Sequence, residues 1–307
     1  MTNKDTSLHR NQLISVVINT FNEEKNIERA IKSVVFADEI IVCDMYSTDD
    51  TVSIAEKLGA RVLYHKYTRY VEPARNYAIS KSKNGWILVL DADEVIPATL
   101  AKSLMEMVEK EVASAFIEIP RKNIIFGKWM RASGWWPDYH IRFFKLGSIE
   151  WQDEIHSKPK TNGLGLRLPE DEGFAIVHNH YSSVFQYIER MNRYSSIQAE
   201  ELYKNKTVFH WEDLFKKPLG EFLSRYFASD GYKDGLHGLT LSLLQAFSFL
   251  VVYIKLWEMR NFAEQSITFE DLKLLCQESG TEIKYWLNLK TLPSNSIKRI
   301  LQKLKNR

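Results

Sequence analysis

Trp86-Ile87-Leu88-Val89-Leu90-Asp91-Ala92-Asp93-Glu94 runs an apolar strand straight into three carboxylates. Residues 86–91 are short, apolar and without helical period, which reads as a strand buried on both faces. Carboxylates crowded at its end repel one another unless a cation or hydrogen-bond donors compensate. Two of them separated by one residue suit a shared hard divalent cation that keeps positions for water and diphosphate oxygens.

Upstream, the chain alternates strands with helices. Ile14–Asn19 and Glu39–Asp44 are β-branched runs, and Arg61–His65 is a third. Between them Ile27, Ala30, Ile31, Val34 and Val35 give helical spacing over Glu23–Phe36. A second helix is expected from Ser47, where Ser47 and Asp50 have capping-box spacing and Gly59 supplies the stop, and Pro73–Ser82 reads as a third. This order predicts an α/β fold with a mostly parallel sheet and helices on both faces. Ligands of such sheets bind at the carboxyl ends of the strands. Those ends carry Thr20, Asn22 and Glu23, then Asp44, then Asp91, Asp93 and Glu94. Asn22 or Thr20 as a helix cap, and Asp44 as a strand-terminating turn residue, are the structural alternatives.

The stretch Leu88–Val95 also matches the nucleophile motif of haloacid-dehalogenase phosphatases, with Asp91 as nucleophile. That motif opens its domain, whereas here three expected strands precede it. Four blocks in order, Val16-Val17-Ile18-Asn19-Thr20-Phe21-Asn22-Glu23-Glu24, Ile41–Thr51, Ala74-Arg75-Asn76-Tyr77-Ala78 and Trp86–Glu94, resemble glycosyltransferase family 2 over about residues 13–100. The resemblance implies a GT-A fold, a nucleotide-diphosphate sugar donor, most simply UDP-glucose or a similar hexose donor, a Mg²⁺ or Mn²⁺ ion, and inversion at the anomeric carbon. Carried over, Thr20, Asn22, Glu23 and Asp44 border the nucleoside, Arg75 steadies the acidic edge, Asp91 lies near ribose and metal, and Asp93 ligates the metal.

Gly134–Lys145, Trp151–His156 and His178-Asn179-His180-Tyr181 are similar to bacterial transferases of the lipopolysaccharide inner-core β-1,4-glucosyltransferase type, which implies a glycan or glycolipid acceptor. Many relatives carry Glu after the histidine matching His156; this chain has Ser157. Inversion needs a carboxylate base on the acceptor side, and Asp138, Asp153 and Glu154 are the candidates, with Asp138 favoured for its place beside the strand His140–Phe144. Arg142 is assigned to the donor and His156 to the metal or diphosphate. Trp135, Trp136 and Tyr139 suit stacking on sugar faces, with core packing as the alternative.

With 41 Lys and Arg against 39 Asp and Glu, the net charge of +2 gives no general case for nucleic-acid binding. Cys43 and Cys276, far apart, suggest two buried thiols, and the polar first residues an unsecreted, cytoplasmic protein. The division expected is a transferase domain over 1–181, with donor half 13–100 and acceptor half 101–181, followed by a helical extension over 182–307. Leu236–Trp257 approaches a bilayer span but is interrupted by polar residues, so a buried or interfacial helix is expected. Ile297, Ile300, Leu301 and Leu304 share a face surrounded by cations, suited to the inner face of the cytoplasmic membrane or to a second copy of the chain. A catalytically dead nucleotide-binding or assembly protein, suggested by Ser157, is the other class of function.

Overall fold

A computed structural model describes residues 13–68, 72–152 and 159–291. The described chain forms two compact units: Met1–Ile124 with Pro137–His180, and Ile125–Trp136 with Tyr181–Arg307. The first unit ends at His180, where the sequence reading sets its division at 181. The excursion 125–136, expected in the acceptor half, belongs instead with the helices.

The first unit opens with β1 (Ile14–Thr20), α1 (Ile27–Ser33), β2 (Glu39–Asp44), α2 (Thr51–Lys57), β3 (Arg61–Tyr64), α3 (Glu72–Ser80) and β4 (Trp86–Asp91). It continues through β5 (Glu94–Val95), α4 (Ala98–Glu109) and β6 (Phe116–Ile125). After the short β7 (Lys128–Trp129) come β8 (Asp138–Lys145), β9 (Ile149–Glu150), β10 (Lys160–Thr161), β11 (Gly165–Arg167) and β12 (Ile176–Tyr181). The main sheet runs β3-β2-β1-β4-β8-β6-β12-β5. Its first four strands are parallel, whereas β8 is antiparallel to both β4 and β6. This is the α/β class that the sequence pattern requires.

Alternation along the strands builds a core on each face of the sheet. Val16, Ile18, Leu88 and Leu90 pack with Ile27, Ile31, Leu100 and Leu104 from α1 and α4. Val17, Ile41, Ile87 and Val89 pack with Ala74 and Ala78 of α3. Two helices start later than their patterns suggest. Ser47 does not cap a helix, because its backbone N–H and hydroxyl both donate to Asp44, and α2 begins only at Thr51. Glu23 accepts from the Asn26 amide and its carbonyl closes a turn, so α1 begins at Ile27.

The second unit contains α5 (Val184–Lys204), α6 (Asp213–Leu223), α7 (Leu236–Met259) and α8 (Phe269–Thr291). Ile125, Met130 and the half-buried Trp135 pack with Tyr187, Met191 and Leu241, which is why 125–136 travels with the helices. The segment 230–235 is the clamp between them. Asp234 accepts the backbone N–H groups of Arg131 and Ala132 at 3.0 and 2.8 Å. A Cβ on Gly231 would lie 2.4 Å from the Ser133 hydroxyl, and one on Gly238 would lie 1.8 Å from the Gly231 carbonyl. Cys43 is buried as expected, but Cys276 on α8 is exposed. The cationic tail at 297–307 lies outside the described residues.

Candidate active site

The parallel register sets Thr20 beside Asp44 and Asn19 beside Asp91, so three strand ends meet at one carboxyl edge. Since β1 has β2 on one side and β4 on the other, the chain leaves these strands in diverging directions and opens the crevice in which such folds hold ligands.

On the β1/β2 side the loops are knitted by neutral donors. Asp44 is fully buried and accepts from Ser47. Ser47 Oγ in turn accepts the Asn22 N–H at 2.8 Å, and Asn22 Oδ1 accepts the Thr48 N–H at 2.8 Å. The Glu23 N–H donates to Thr51 Oγ1 at 2.8 Å. Asn22 adopts φ 54°, a left-handed turn that Asn tolerates well. The side chains of Asn22, Glu23 and Asp44 therefore shape the loops. Asn19 and Thr20, 5% and 2% exposed, have side-chain polar atoms that bond to nothing within the described protein. Such buried polar groups are costly unless a ligand or water serves them.

On the β4 side the donors are guanidiniums. Asp91 accepts from Arg75 at 2.9 Å through Oδ1 and from Arg142 at 2.5 Å through Oδ2. Glu94, wholly buried, accepts from Arg142 at 2.8 Å and Arg121 at 3.2 Å, and its other oxygen takes the Asp91 N–H. Burial alone would raise the Asp91 pKa, but the Arg142 and Arg75 charges outweigh it and hold the group well below the usual carboxylate range. The same pairing raises the pKa of Arg142 against its burial. Arg142 reaches this position through a bulge: Ile117 faces Phe143 and Glu118 faces Ile141, leaving Arg142 with no partner on β6.

Asp138 lies directly across from Arg121 in the β6/β8 register. Its Oδ2 accepts from Arg121 Nε and Nη2 at 2.9 and 2.6 Å and from Asn123 Nδ2 at 3.0 Å, while Oδ1 accepts from His140 at 2.9 Å. Burial pushes its pKa up, yet the His140 hydrogen bond and the Arg121 charge hold it far below the ordinary value. In this arrangement both oxygens of Asp138, the group expected from the sequence to be the base, are engaged by donors. Asn123 Oδ1 meets His178 Nδ1 at 2.6 Å, and His178 Nε2 stands 3.5 Å from Asp93 Oδ1. His178 is there because β12 runs antiparallel to β5, with His178 opposite Glu94.

Arg121, Asn123 and His178 were not singled out from the sequence. They sit in ordinary strands about 30 to 85 positions from Asp93, and only strand pairing brings them in. The lone signal was His178 within the His178–Tyr181 block.

The three aromatic residues have different surroundings. Trp135 belongs to the core of the second unit, and Trp136 stands edge-on to Trp129 at 5.1 Å in the same unit. The Tyr139 hydroxyl donates to the Leu168 carbonyl at 2.8 Å and its ring lies under Arg167. Each of the three residues expected to stack on sugar thus has a partner within the protein and stays half-buried. Asp153, Glu154 and His156 lie outside the described residues. The chain leading to them is fastened: Trp151 exchanges two hydrogen bonds with the Asn76 amide and its ring lies under Arg75.

Among the described residues no cluster of three or more His, Cys, Asp and Glu forms a metal cage. A two-ligand site does fit a divalent cation. Bonds of about 2.1 Å set neighbouring ligands roughly 3.0–3.4 Å apart, close to the separation of Asp93 Oδ1 and His178 Nε2.

A parallel sheet with this polar carboxyl edge is the architecture of a nucleotide-sugar transferase. Residues 15–174, over half the chain, match the family described as "Glycosyl transferase family 2", and the chain belongs to that family. An uncharacterized glycosyltransferase of Rickettsia typhi is 30% identical over 274 residues, covering 86% of this chain and 94% of the relative. The prophage-derived glycosyltransferase SunS of Bacillus subtilis is 26% identical over 200 residues, 62% of this chain and 44% of its own. Among solved structures, glucosyl-3-phosphoglycerate synthase from Mycobacterium tuberculosis, in complex with Mn²⁺, UDP and glucosyl-3-phosphoglycerate, is 26% identical. That match covers 35% of this chain and 43% of that one, with a TM-score of 0.31. The present chain thus spans less than half the length of that solved protein.

Proposed function

We propose that this glycosyltransferase moves a hexose from a nucleotide-diphosphate sugar, UDP-glucose or a close analogue, to a hydroxyl of a bacterial surface glycan such as lipopolysaccharide core, with inversion. The observation that carries the reading is the convergence of Asn19, Thr20, Asp91 and Asp93 at one strand edge. In this reading Asn19 and Thr20 serve the nucleoside, with Asn22, Glu23 and Asp44 holding the loop shape around it. Arg75 and Arg142 fix Asp91 as a permanent anion for the ribose side. Asp93 and His178, with His156 as a further candidate, hold the divalent cation, which would supply positive charge to the departing diphosphate.

The base role passes from Asp138 to Glu154 or Asp153, which follow the fastened Trp151 by three and two positions. Glu154 is the favoured of the two. The phosphatase alternative is disfavoured because an in-line nucleophile needs an uncommitted oxygen, and both oxygens of Asp91 are bound to arginine. Incubation with a panel of nucleotide sugars and truncated lipopolysaccharide cores should release nucleoside diphosphate only when acceptor is present. Acceptor-independent hydrolysis of a phosphomonoester would overturn the reading, and donor binding without transfer to any acceptor would favour a dead site.

A second proposal concerns α7. By length and composition it could cross a membrane, and less than a third of its apolar stretch is buried. Leu236, Leu243, Phe247 and Ile254 recur on one helical face and are 76, 53, 47 and 40% exposed. On α5, Phe185 is 73% exposed, although the helix buries Tyr187 and Met191. We propose that this stripe, aided by the cationic tail, rests on the inner face of the cytoplasmic membrane. Phe247→Glu should reduce co-sedimentation with anionic vesicles; unchanged co-sedimentation with loss of an oligomer would make the stripe a contact between copies.

A further inference from the structure

We infer that Asp138 and Asn123 form a relay that sets the tautomer of His178, so that its Nε2 presents a lone pair toward Asp93. The inference deepens the proposed cation site and rests on that reading only for its function. The relay itself follows from donor and acceptor rules. Asp138, paired with Arg121 on one oxygen edge and His140 on the other, is ionised and can only accept. Asn123 must therefore turn Nδ2 toward Asp138, since the reversed amide would set two oxygens against each other at 3.0 Å.

With its orientation so fixed, Asn123 offers Oδ1 to His178, and Oδ1 can only accept. The 2.6 Å contact then requires the proton on Nδ1. In the neutral ring Nε2 is left as an acceptor, 3.5 Å from an acceptor oxygen of Asp93. Two acceptors 3.5 Å apart can share a cation, whereas a second proton on Nε2 would make the ring an imidazolium paired with Asp93. Asn123 is wholly buried and His178 is 5% exposed, and the His180 ring stacks on His178 at 4.4 Å, so the imidazole is held in plane. Outer partners of this kind commonly tune metal affinity by about 10- to 100-fold. Asp138 is then a positioning residue, acting through two hydrogen bonds on His178.

The test is ¹⁵N NMR of the histidine rings in the full-length, metal-free chain at pH 8, with the His178 signals identified by their loss in His178→Gln. The wild type should show a protonated Nδ1 and a bare Nε2. Asn123→Ala should shift His178 toward the Nε2–H form and weaken Mn²⁺ binding by about 10- to 100-fold. An Nε2–H ring in the wild type, or a tautomer unmoved by Asn123→Ala, overturns the relay. If the tautomer behaves as stated but the wild type binds no Mn²⁺, the relay stands and the cation site fails. If Mn²⁺ binds through Asp93 while the tautomer ignores Asn123, the reverse holds.

Discussion

The loops after β1 and β2 and the strands β4, β6 and β8 both bury carboxylates, but they satisfy them with different chemistry. Asp44 gives both oxygens to Ser47, so its charge is converted into loop shape by neutral donors. Asp91, Glu94 and Asp138 are held by Arg75, Arg121 and Arg142, so here carboxylates meet fixed guanidinium charges instead of neutral donors. The first arrangement can yield to a ligand at the cost of a hydrogen bond or two. The second cannot, because removing one guanidinium strands a buried anion.

That contrast ranks the expected effects. Arg142, 3% exposed, is the keystone of the charged side. Arg142→Met should cost about 3–5 kcal/mol in urea unfolding, the typical penalty for breaking a buried pair by losing one partner. A loss under about 1 kcal/mol would mean the charged side is as adaptable as the loops. The same side should set the acid limb of stability. Asp91 and Asp138 have folded pKa values below their unfolded ones, so their contribution is complete above about pH 4 and is lost as pH falls through that value toward the folded pKa. Urea midpoints measured from pH 6 to pH 2 should fall in that window, less steeply in Arg142→Met.

Next come the two carboxylates that exchange roles. Glu154→Gln should lower turnover by about 10² or more at any Mn²⁺ concentration, as loss of a base does. Asp138→Asn should lower it by about 10- to 100-fold at limiting Mn²⁺ and recover when Mn²⁺ is saturating, as a displaced positioning group does. Full activity in Glu154→Gln with an unrescued Asp138→Asn would restore Asp138 as the base.

The sequence made one of these regions legible and hid most of the other. Strand ends at Asp44 and Asp91 could be read because β-branched or apolar runs stop there, and the loops between them close through residues within about 30 positions. The lattice is assembled by antiparallel pairing of β8 with β4 and β6, where a single bulge at Arg142 decides which side chains turn inward. No periodicity announces a bulge. The same limit applies around Trp135 and Trp136: Gly134 and Pro137 mark a loop, but only the packing of Ile125, Met130 and Trp135 with Tyr187 and Leu241 assigns it to the helical unit.

The smallest expected effect lies on the loop side. Ser47→Ala removes one donor to Asp44 and the acceptor of the Asn22 N–H, and should cost about 1–2 kcal/mol in stability. Donor affinity should weaken with it while turnover at saturating donor stays near normal. An equal fall in turnover would show that the loops also fix the reacting geometry.

The most direct test of the whole account is thermal stabilisation by UDP and UDP-glucose, with Mn²⁺ and with excess EDTA, in the wild type and in Asp93→Ala. Binding to the folded state alone raises the melting temperature according to ligand affinity and needs no acceptor. The nucleotide shift should grow with Mn²⁺ in the wild type and be indifferent to Mn²⁺ in Asp93→Ala. Equal stabilisation in Mn²⁺ and EDTA, or a Mn²⁺-dependent shift surviving Asp93→Ala, would contradict a cation-assisted donor site at the end of β4.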